Sequence, residues 1–220
     1  MLNIAIDGPA GAGKSSVAKA IAADKGILYL DTGALYRAIG LFVISENVDP
    51  CDENAVTALL PRIDIKLSFI DGAQHVMLCG KDVTSEIRTQ PVAMAASNVS
   101  ALPPVRSFLL GLQRDIAARN DCVMDGRDIG TVILPNADVK IFLTASPEER
   151  ARRRINELSE KGIEADFETV VSEIRKRDEN DSTRAIAPLK PAEDAHIIDC
   201  TEMDLKTVVS VISDIIGELA

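Results

Sequence analysis

The chain alternates short apolar segments with stretches of helical periodicity. The apolar segments are residues 2–6, 27–30, 122–124, 139–143 and 196–198. Near-continuous apolar runs of this length are typical of strands buried on both faces of a parallel sheet. The clearest helical pattern lies near the C-terminus, where Val208, Ile212 and Ile216 belong to one apolar stripe opposite charged positions. The pattern predicts an α/β fold with a five-stranded parallel sheet and helices on both faces.

Residues 63–69 depart from this pattern, because apolar and polar positions alternate strictly there. Asp71-Gly72 is a hairpin-turn signal, and residues 76–79 are expected to return as a second strand. Strict alternation produces one polar face, which a central strand of a parallel sheet lacks. We therefore predict an antiparallel hairpin subdomain, inserted at residues 62–88 beside the main sheet. Such an insert shapes a ligand pocket or is a plain surface hairpin, and the pattern favours neither.

Composition and charge indicate a compact globular protein and disfavour a nucleic acid polymer as its partner. The 220 residues are enough for one domain with a sizeable core, and the hydrophobic content of 46% is ordinary. Aromatic residues make up only 3%, without Trp, so base-stacking surfaces are not expected. The net charge of −10 repels phosphate backbones. Ten of the 24 Lys and Arg residues lie between Arg150 and Lys190, which favours a small anionic ligand.

The cysteines and the hydropathy of the chain bear on its compartment. The four cysteines, Cys51, Cys79, Cys122 and Cys200, are widely spaced and contain no C-x-x-C pair. We expect buried, reduced thiols rather than a disulfide framework or a zinc site. The N-terminus has no basic-then-apolar leader, and no apolar run approaches about 18 residues. The expectation is a cytoplasmic protein without membrane contact, acting as a monomer.

A glycine-rich loop between the first apolar segment and the first helical stretch is the strongest motif. Residues 8–15 read Gly-Pro-Ala-Gly-Ala-Gly-Lys-Ser, which is the P-loop pattern G-x-x-x-x-G-K-[ST] in its strand-to-helix context. The backbone N–H groups of such a loop and the following helix N-terminus attract phosphate oxygens. Lys14 is expected to reach the β- and γ-phosphates, and the Ser15 hydroxyl to ligate Mg²⁺. The alternative, a flexible glycine turn, is disfavoured by the flanking elements.

Two further motifs follow apolar segments, at the sheet edge where α/β proteins bind ligands. Residues 31–37 read Asp-Thr-Gly-Ala-Leu-Tyr-Arg, which places Arg37 near that edge, with Thr32 as a possible helix N-cap. Residues 125–128 read Asp-Gly-Arg-Asp after another strand, and a P-loop enzyme places an Asp there near its metal. A turn with a local Arg–Asp ion pair is the competing interpretation of the second motif.

Two groups of basic residues bracket a predicted helix-turn-helix with Gly162 at its bend. The first group opens one helix with Arg150, Arg152, Arg153 and Arg154, and the second closes the next with Arg175, Lys176, Arg177 and Arg184. A solvated face would pair such charges evenly with acids. We interpret residues 147–180 as an Arg-rich helical lid that brings guanidinium groups over phosphates and excludes water. Each arginine taken singly fits a surface position as well.

Taken together, the motifs resemble those of the bacterial cytidylate kinases. The resemblance rests on residues 8–16, 31–37, 86–89 (Glu-Ile-Arg-Thr), 125–131 and 177–189, and it spans almost the whole chain, including the hairpin insert. It implies one P-loop kinase domain over residues 1–220 that uses ATP and Mg²⁺ to phosphorylate CMP and dCMP to the diphosphates, as a step of pyrimidine nucleotide metabolism. Relatives that follow the P-loop lysine with Gly-Thr differ from the Ser15-Ser16 found here, but both pairs keep a hydroxyl near the metal.

The resemblance also implies roles for individual residues. Those expected to bind ATP are Gly8, Pro9, Ala10, Gly11, Ala12, Gly13, Lys14, Ser15, Ser16 and Arg153, with Ser15 on the metal. Those expected to act in phosphoryl transfer are Lys14, Asp125, Arg127 and Arg184. Those expected to bind the CMP phosphate are Arg37, Arg127 and Arg184, and those for its sugar are Arg177 and Asp181. Those expected at the base are Ser97, Arg106 and Asp128, and Thr32 and Tyr36 complete the acceptor set.

The base assignment agrees with the chemistry of cytosine. Cytosine offers an amino donor and two ring acceptors, so Asp128 can accept from the amino group while Arg106 donates to the ring edge. Uracil reverses this polarity, which predicts preference for CMP over UMP. A GTP-dependent switch would need an Asn-Lys-x-Asp motif, and the chain has no Asn-Lys dipeptide. A P-loop kinase for another small acceptor, such as UMP or a non-nucleotide metabolite, stays open as the alternative function.

Overall fold

The computed structural model describes residues 1–70, 73–160 and 162–218. Its strands are β1 (Asn3–Asp7), β2 (Leu28–Asp31), β3 (Ile65–Ile70), β4 (Ala73–Leu78), β5 (Lys81–Asp82), β6 (Cys122–Gly126), β7 (Val139–Thr144) and β8 (His196–Asp199). Its α-helices are α1 (Lys14–Lys25), α2 (Thr32–Ser45), α3 (Glu53–Leu59), α4 (Gln90–Val99), α5 (Pro103–Ala117), α6 (Pro147–Glu160), α7 (Phe167–Thr183) and α8 (Leu205–Gly217).

The main sheet confirms the five strands that the apolar segments predict. Its order is β2-β6-β1-β7-β8, and β1 pairs in parallel with both β6 and β7. Ile4, Ala5 and Ile6 of β1 are inaccessible to solvent, as a central strand requires. The edge strand β8 differs from the expectation of burial on both faces, because Ile197 is 64% exposed. An edge strand can keep one face uncovered, and an apolar run does not reveal its position in the sheet.

The P-loop lies between β1 and α1, and all three of its glycines have conformations that other residues rarely adopt. Gly13 precedes α1 with a φ of 91°, in the left-handed region. Gly8 has a φ of 145°, and a Cβ atom there would lie 1.9 Å from the backbone carbonyl oxygen of Leu143 on β7. The loop therefore turns tightly against the neighbouring strand, which positions Lys14 at the first turn of the helix.

The chain divides into two compact units, one of residues 28–121 and one of residues 2–27 with 122–220. In the first unit, β3, β4 and β5 form an antiparallel sheet in which Leu67 is paired with Val76. This confirms the predicted hairpin, although the proposed turn at Asp71-Gly72 lies outside the described residues. The second strand begins at Ala73 rather than Val76, and the two-residue strand β5 was too short to produce a periodic signal.

In the second unit, α6 and α7, the helices of the predicted lid, pack through a small apolar cluster that contains Ala151, Val170 and Val171. Gly162, between the helices, has a φ of 72° and so fits a tight bend. None of the four cysteines, which all lie within the described residues, forms a disulfide, but Cys51 and Cys79 are exposed, so the expectation of burial holds only for Cys122 and Cys200. Among the described residues, no helix combines the length and the apolar character needed to cross a membrane.

Candidate active site

Lys14 is buried beneath the P-loop, and its ammonium group donates to the backbone carbonyl oxygen of Pro9 at 2.7 Å. Burial, followed by the positive charge of Arg127, lowers the pKa of Lys14 to about 7, against the opposing attraction of Asp125 and Asp7. A phosphate oxygen offers this ammonium a charged acceptor in place of a neutral carbonyl. The geometry therefore suits Lys14 for the binding of a polyphosphate.

Ser15 and Asp125 meet although 110 positions separate them, because α1 starts beside the end of β6. The Ser15 hydroxyl donates to the Asp125 carboxylate at 2.6 Å, and Asp125 is buried. Asp125 therefore has a partner that lies far from it in the sequence. Mg²⁺ prefers oxygen ligands and uses one or two protein groups beside phosphate oxygens and waters. A hydroxyl and a carboxylate at hydrogen-bond distance form a donor set of this kind, so they fit the ion.

Asp7, the last residue of β1, was not among the predicted site residues. Its two carboxylate oxygens accept from the backbone N–H groups of Ile129 and Gly130, each at 2.7 Å. Burial raises the pKa of Asp7 to about 6, against these two hydrogen bonds, which lower it. Asp7 thus holds the π-helical turn Ile129–Ile133, which directly follows Arg127 and Asp128. Its place immediately before the P-loop was the only signal that the sequence offered.

Arg127, Asp128, Asp181 and Arg184 form a cluster of charged side chains in the second unit. Arg127 donates through Nε to Asp181 at 2.9 Å, and Arg184 lies 3.8 Å from Asp128. Burial raises the pKa of Asp181, but the charges of Arg127, Arg177 and Arg184 outweigh it and hold the pKa below its ordinary value. Asp181 therefore stays ionised while it orients Arg127. When Arg177 is counted with this cluster, three arginines accompany two carboxylates, and the surplus of one positive charge suits an anion.

Arg153, which the resemblance implies as an ATP-binding residue, lies beside the P-loop. Its guanidinium group donates to the backbone oxygen of Cys200 at 2.7 Å and to Glu149 at 3.1 Å, and it reaches the Ala12 carbonyl at 3.4 Å. The Cys200 thiol is buried within 3.3 Å of the same Ala12 carbonyl. The sequence did not reveal that Cys200 contacts both Arg153 and the P-loop, because a lone cysteine after a strand has no distinguishing pattern.

The other arginines of α6 are paired with carboxylates. From the sequence, they had been interpreted as ligands of a phosphate. Arg150 is 3% exposed and binds Asp178 of α7 through two hydrogen bonds, of 3.0 and 2.6 Å. It also donates to the Ala10 carbonyl of the P-loop at 3.2 Å. Arg152 and Arg154 form surface ion pairs within the helix. Arg150 therefore joins α6 and α7 to the P-loop and is a structural residue in this arrangement.

Asp31 organises the first turn of α2 in the other unit. Its carboxylate accepts from the Ala34 N–H at 3.0 Å and from the Arg37 guanidinium group at 2.6 Å. Asp31 is thus the N-cap, whereas Thr32, named above as a possible cap, is the first helical residue. The Nε atom of Arg37 is buried and has no hydrogen-bond partner among the described residues. This N–H group can donate to a bound acceptor such as a phosphate oxygen.

Arg106 and Tyr36, two predicted acceptor-binding residues, lie together in the same unit. The guanidinium carbon of Arg106 is 5.7 Å from the centre of the Tyr36 ring, and Arg106 donates to the Ser100 carbonyl at 3.1 Å. Ser97, on α4, is half-buried. The third predicted base-reading residue, Asp128, belongs to the other unit. The structure therefore collects the predicted residues into two sets: 32, 36, 37, 97 and 106 in one unit, and the P-loop, 125, 127, 128, 153, 177, 181 and 184 in the other.

Comparison with known proteins adds family evidence to this geometry. Residues 4–218 match the family model described as Cytidylate kinase. The chain is 50% identical over 207 residues to the cytidylate kinase of Caldicellulosiruptor bescii, covering 94% of this chain and 92% of that one. It is 51% identical over 216 residues to the cytidylate kinase of Carboxydothermus hydrogenoformans, covering 98% and 97%. The fold is similar to that of a shikimate kinase from Bacteroides thetaiotaomicron, with a TM-score of 0.50 at 13% identity and 98% coverage of both chains.

Proposed function

We propose that this chain, which belongs to the cytidylate kinase family, transfers the γ-phosphoryl group of ATP to CMP or dCMP. The products are ADP and CDP or dCDP. The observation that carries the proposal is the P-loop with its buried Lys14 ammonium and the Ser15–Asp125 pair, in a chain about half identical to known cytidylate kinases along nearly its full length.

We assign the ATP phosphates to the P-loop, where backbone N–H groups and the start of α1 attract negative charge. Lys14 holds the transferring group, and Arg153 contacts the nucleotide beside Ala12. Ser15 and Asp125 would hold Mg²⁺, which neutralises charge on the phosphate oxygens when bound. Together these groups orient the γ-phosphoryl group and reduce the repulsion that an incoming anion meets.

We assign separate residues to the phosphate, the sugar and the base of the acceptor. Arg37, Arg127 and Arg184 bind the phosphate of CMP, and Arg177 and Asp181 bind its sugar hydroxyls. Ser97, Arg106 and Asp128 read the base, with Thr32 and Tyr36 completing the site. The free Nε of Arg37 and the surplus positive charge around Asp181 support the phosphate assignment.

The reaction requires little covalent chemistry from the protein. The acceptor is a phosphate that is already ionised near neutral pH, so no general base is assigned. Alignment of donor and acceptor can lower the barrier by about 7–11 kcal/mol. A single well-placed arginine is worth about 10³–10⁵ in rate in related P-loop systems. Arg127 and Arg184 are the residues we assign to this stabilisation.

We further propose that residues 1–220 act as one monomeric kinase domain in the cytoplasm, with 62–88 as the acceptor-side insert and 147–180 as the lid. The family match over residues 4–218 supports a single functional domain. Sedimentation with and without both nucleotides tests the monomer, which a stable dimer would contradict.

Coupled measurement of ADP release over a panel of monophosphates tests the activity. We expect turnover with CMP and dCMP and much weaker turnover with UMP, because the base-reading groups would face unpaired atoms. Lys14→Ala should nearly abolish turnover in a folded protein, whereas Arg127→Ala and Arg184→Ala should raise the KM for CMP and also lower kcat, because both arginines are assigned to the acceptor phosphate and to the transition state. Equal turnover of CMP and UMP would overturn the specificity, and turnover only with another acceptor would replace the proposal by a different kinase activity.

A further inference from the structure

We infer that Gln74, in the inserted sheet, is a positioning residue for the acceptor phosphate and acts through Asp31 on Arg37. The inference rests on the proposed function, because it concerns the residue assigned to the CMP phosphate. It gives the insert a specific part in substrate binding, in place of the open choice between a pocket element and a surface hairpin.

Gln74 binds both backbone polar groups of Asp31. Its side-chain oxygen accepts from the Asp31 N–H at 2.8 Å, and its side-chain nitrogen donates to the Asp31 carbonyl oxygen at 3.2 Å. The N–H and C=O of one residue in extended backbone point to the same side, so a single amide group can bind both, as a paired strand residue would. Asp31 is extended, with φ −80° and ψ 95°. The two bonds therefore fix the peptide groups on both sides of this residue.

The direction of the Asp31 side chain depends on that backbone. One carboxylate oxygen caps α2 at Ala34, and the other binds Arg37 at 2.6 Å. A rotation of the Asp31 backbone would move both oxygens at once. Arg37, in turn, is held by Asp31 so that its Nε is buried and free to donate. The chain of contacts runs from Gln74 to the Asp31 backbone, then to its carboxylate, and then to the guanidinium group.

The position of Gln74 in β4 sets it apart from its neighbours on the same face. Val76 and Leu78, two and four residues further along the strand, are buried members of the apolar core. Because side chains alternate along a strand, Gln74 continues this inward face with a polar group. An apolar residue there would extend the core, so the amide is better explained by its two hydrogen bonds than by packing.

Gln74→Met tests the inference, because Met keeps the length of the side chain and removes both hydrogen bonds. We expect the KM for CMP to rise about threefold to tenfold, the range expected for the loss of one or two neutral hydrogen bonds. The KM for ATP and kcat at saturating CMP should stay unchanged, and the melting temperature should fall by only a few degrees, because two hydrogen bonds to the Asp31 backbone are lost. His75→Leu is the matched control, since His75 is the next residue of the strand, points to the opposite face and pairs with Asp82 of the insert.

A double-mutant cycle with Arg37→Ala separates positioning from a local structural role. In the Arg37→Ala background, Gln74→Met should add little to the KM for CMP, because the affected guanidinium group is gone. An unchanged KM in Gln74→Met, equal losses for ATP and CMP, or full additivity in the cycle would overturn the inference. Failure of the proposed function looks different, because the wild-type protein itself would then release no ADP with CMP.

Discussion

Lys14 should take up a proton when ATP binds. In the free protein, burial lowers its pKa to about 7. Contact with phosphate oxygens favours the charged ammonium, which restores a pKa near or above the ordinary value of 10.5. Between these two pKa values the complex holds one more proton than the free protein. ATP affinity must therefore fall as the pH rises above 7, because binding competes with the loss of that proton.

The size of the effect follows from the pKa. At pH 8 about nine-tenths of the free protein carries neutral Lys14, so binding should take up about 0.9 proton, against about 0.1 at pH 6. The dissociation constant should rise about 20-fold between pH 7.5 and 9 by the same linkage. The terminal phosphate of ATP ionises at lower pH, with a pKa of about 6. Asp7 also titrates below this window, since its pKa is about 6.

Isothermal titration calorimetry measures this proton directly. The binding enthalpy in buffers of different ionisation enthalpy at one pH, such as Tris and HEPES at pH 8, gives the number of protons taken up. Lys14→Met removes the titrating group, so uptake should disappear along with most of the affinity. Lys25→Met, at the exposed C-terminal end of the same helix, is the control and should keep the wild-type uptake.

Two results would refute this reasoning. Uptake below about 0.2 proton at pH 8 would mean that burial does not lower the pKa of Lys14 as far as stated. Unchanged uptake in Lys14→Met would assign the proton to another group.

Three further substitutions test the loop, the lid and the metal donors. Gly8→Ala should lower the free energy of unfolding by at least about 2 kcal/mol, because its Cβ would overlap a backbone carbonyl oxygen. Gly26→Ala, with positive φ but open space, should lower it by only about 1 kcal/mol in the same urea titration. Asp178→Asn should cost about 1–3 kcal/mol, since Arg150 is buried. Asp125→Asn should raise the Mg²⁺ concentration for half-maximal rate about tenfold.

Each of these substitutions has a control and a contradicting outcome. Equal losses for the two glycine variants would show that the close approach to β7 is unimportant. For Asp178→Asn, the control is Glu157→Gln, which breaks an exposed pair with Arg154 and should cost less than about 1 kcal/mol. Asp121→Asn, an exposed acid just before β6, is the control for Asp125, and an unchanged Mg²⁺ requirement in Asp125→Asn would remove it from the metal site.

The sequence predicted the features that depend on local order. Hydrophobic periodicity located all five strands of the main sheet, and the glycine pattern placed the P-loop between β1 and α1. Ser15 and Asp125 were both expected near a metal; their side chains lie 2.6 Å apart, and the metal assignment stays a prediction. Both residues could be placed because each follows a strand of the parallel sheet, and the ends of parallel strands bring distant loops to one edge.

Pairings over long separations could not be predicted in the same way. Gln74 binds Asp31 across 43 positions, and Asp7 binds the turn at Ile129 across 122. Neither pair has a periodic or motif signal, since each depends on how separate elements pack. The Arg-rich helix shows the converse problem: Arg150 looks like its neighbours in the sequence, but its buried contact with α7 gives it a different role.

The cationic side chains of the candidate site differ in the hydrogen-bond acceptors that a bound phosphate would replace. Lys14 exchanges a neutral backbone carbonyl for a charged acceptor, so the exchange is favourable wherever the ammonium is formed. Arg37 and Arg127 are each bound to a carboxylate, of Asp31 and Asp181, but through only part of the guanidinium fork. They can keep these partners and still donate to phosphate, because the fork carries five N–H donors. The carboxylates thus orient the arginines and still leave them N–H groups that can bind phosphate. The protonation of Lys14 is then the part of phosphate binding that depends on pH.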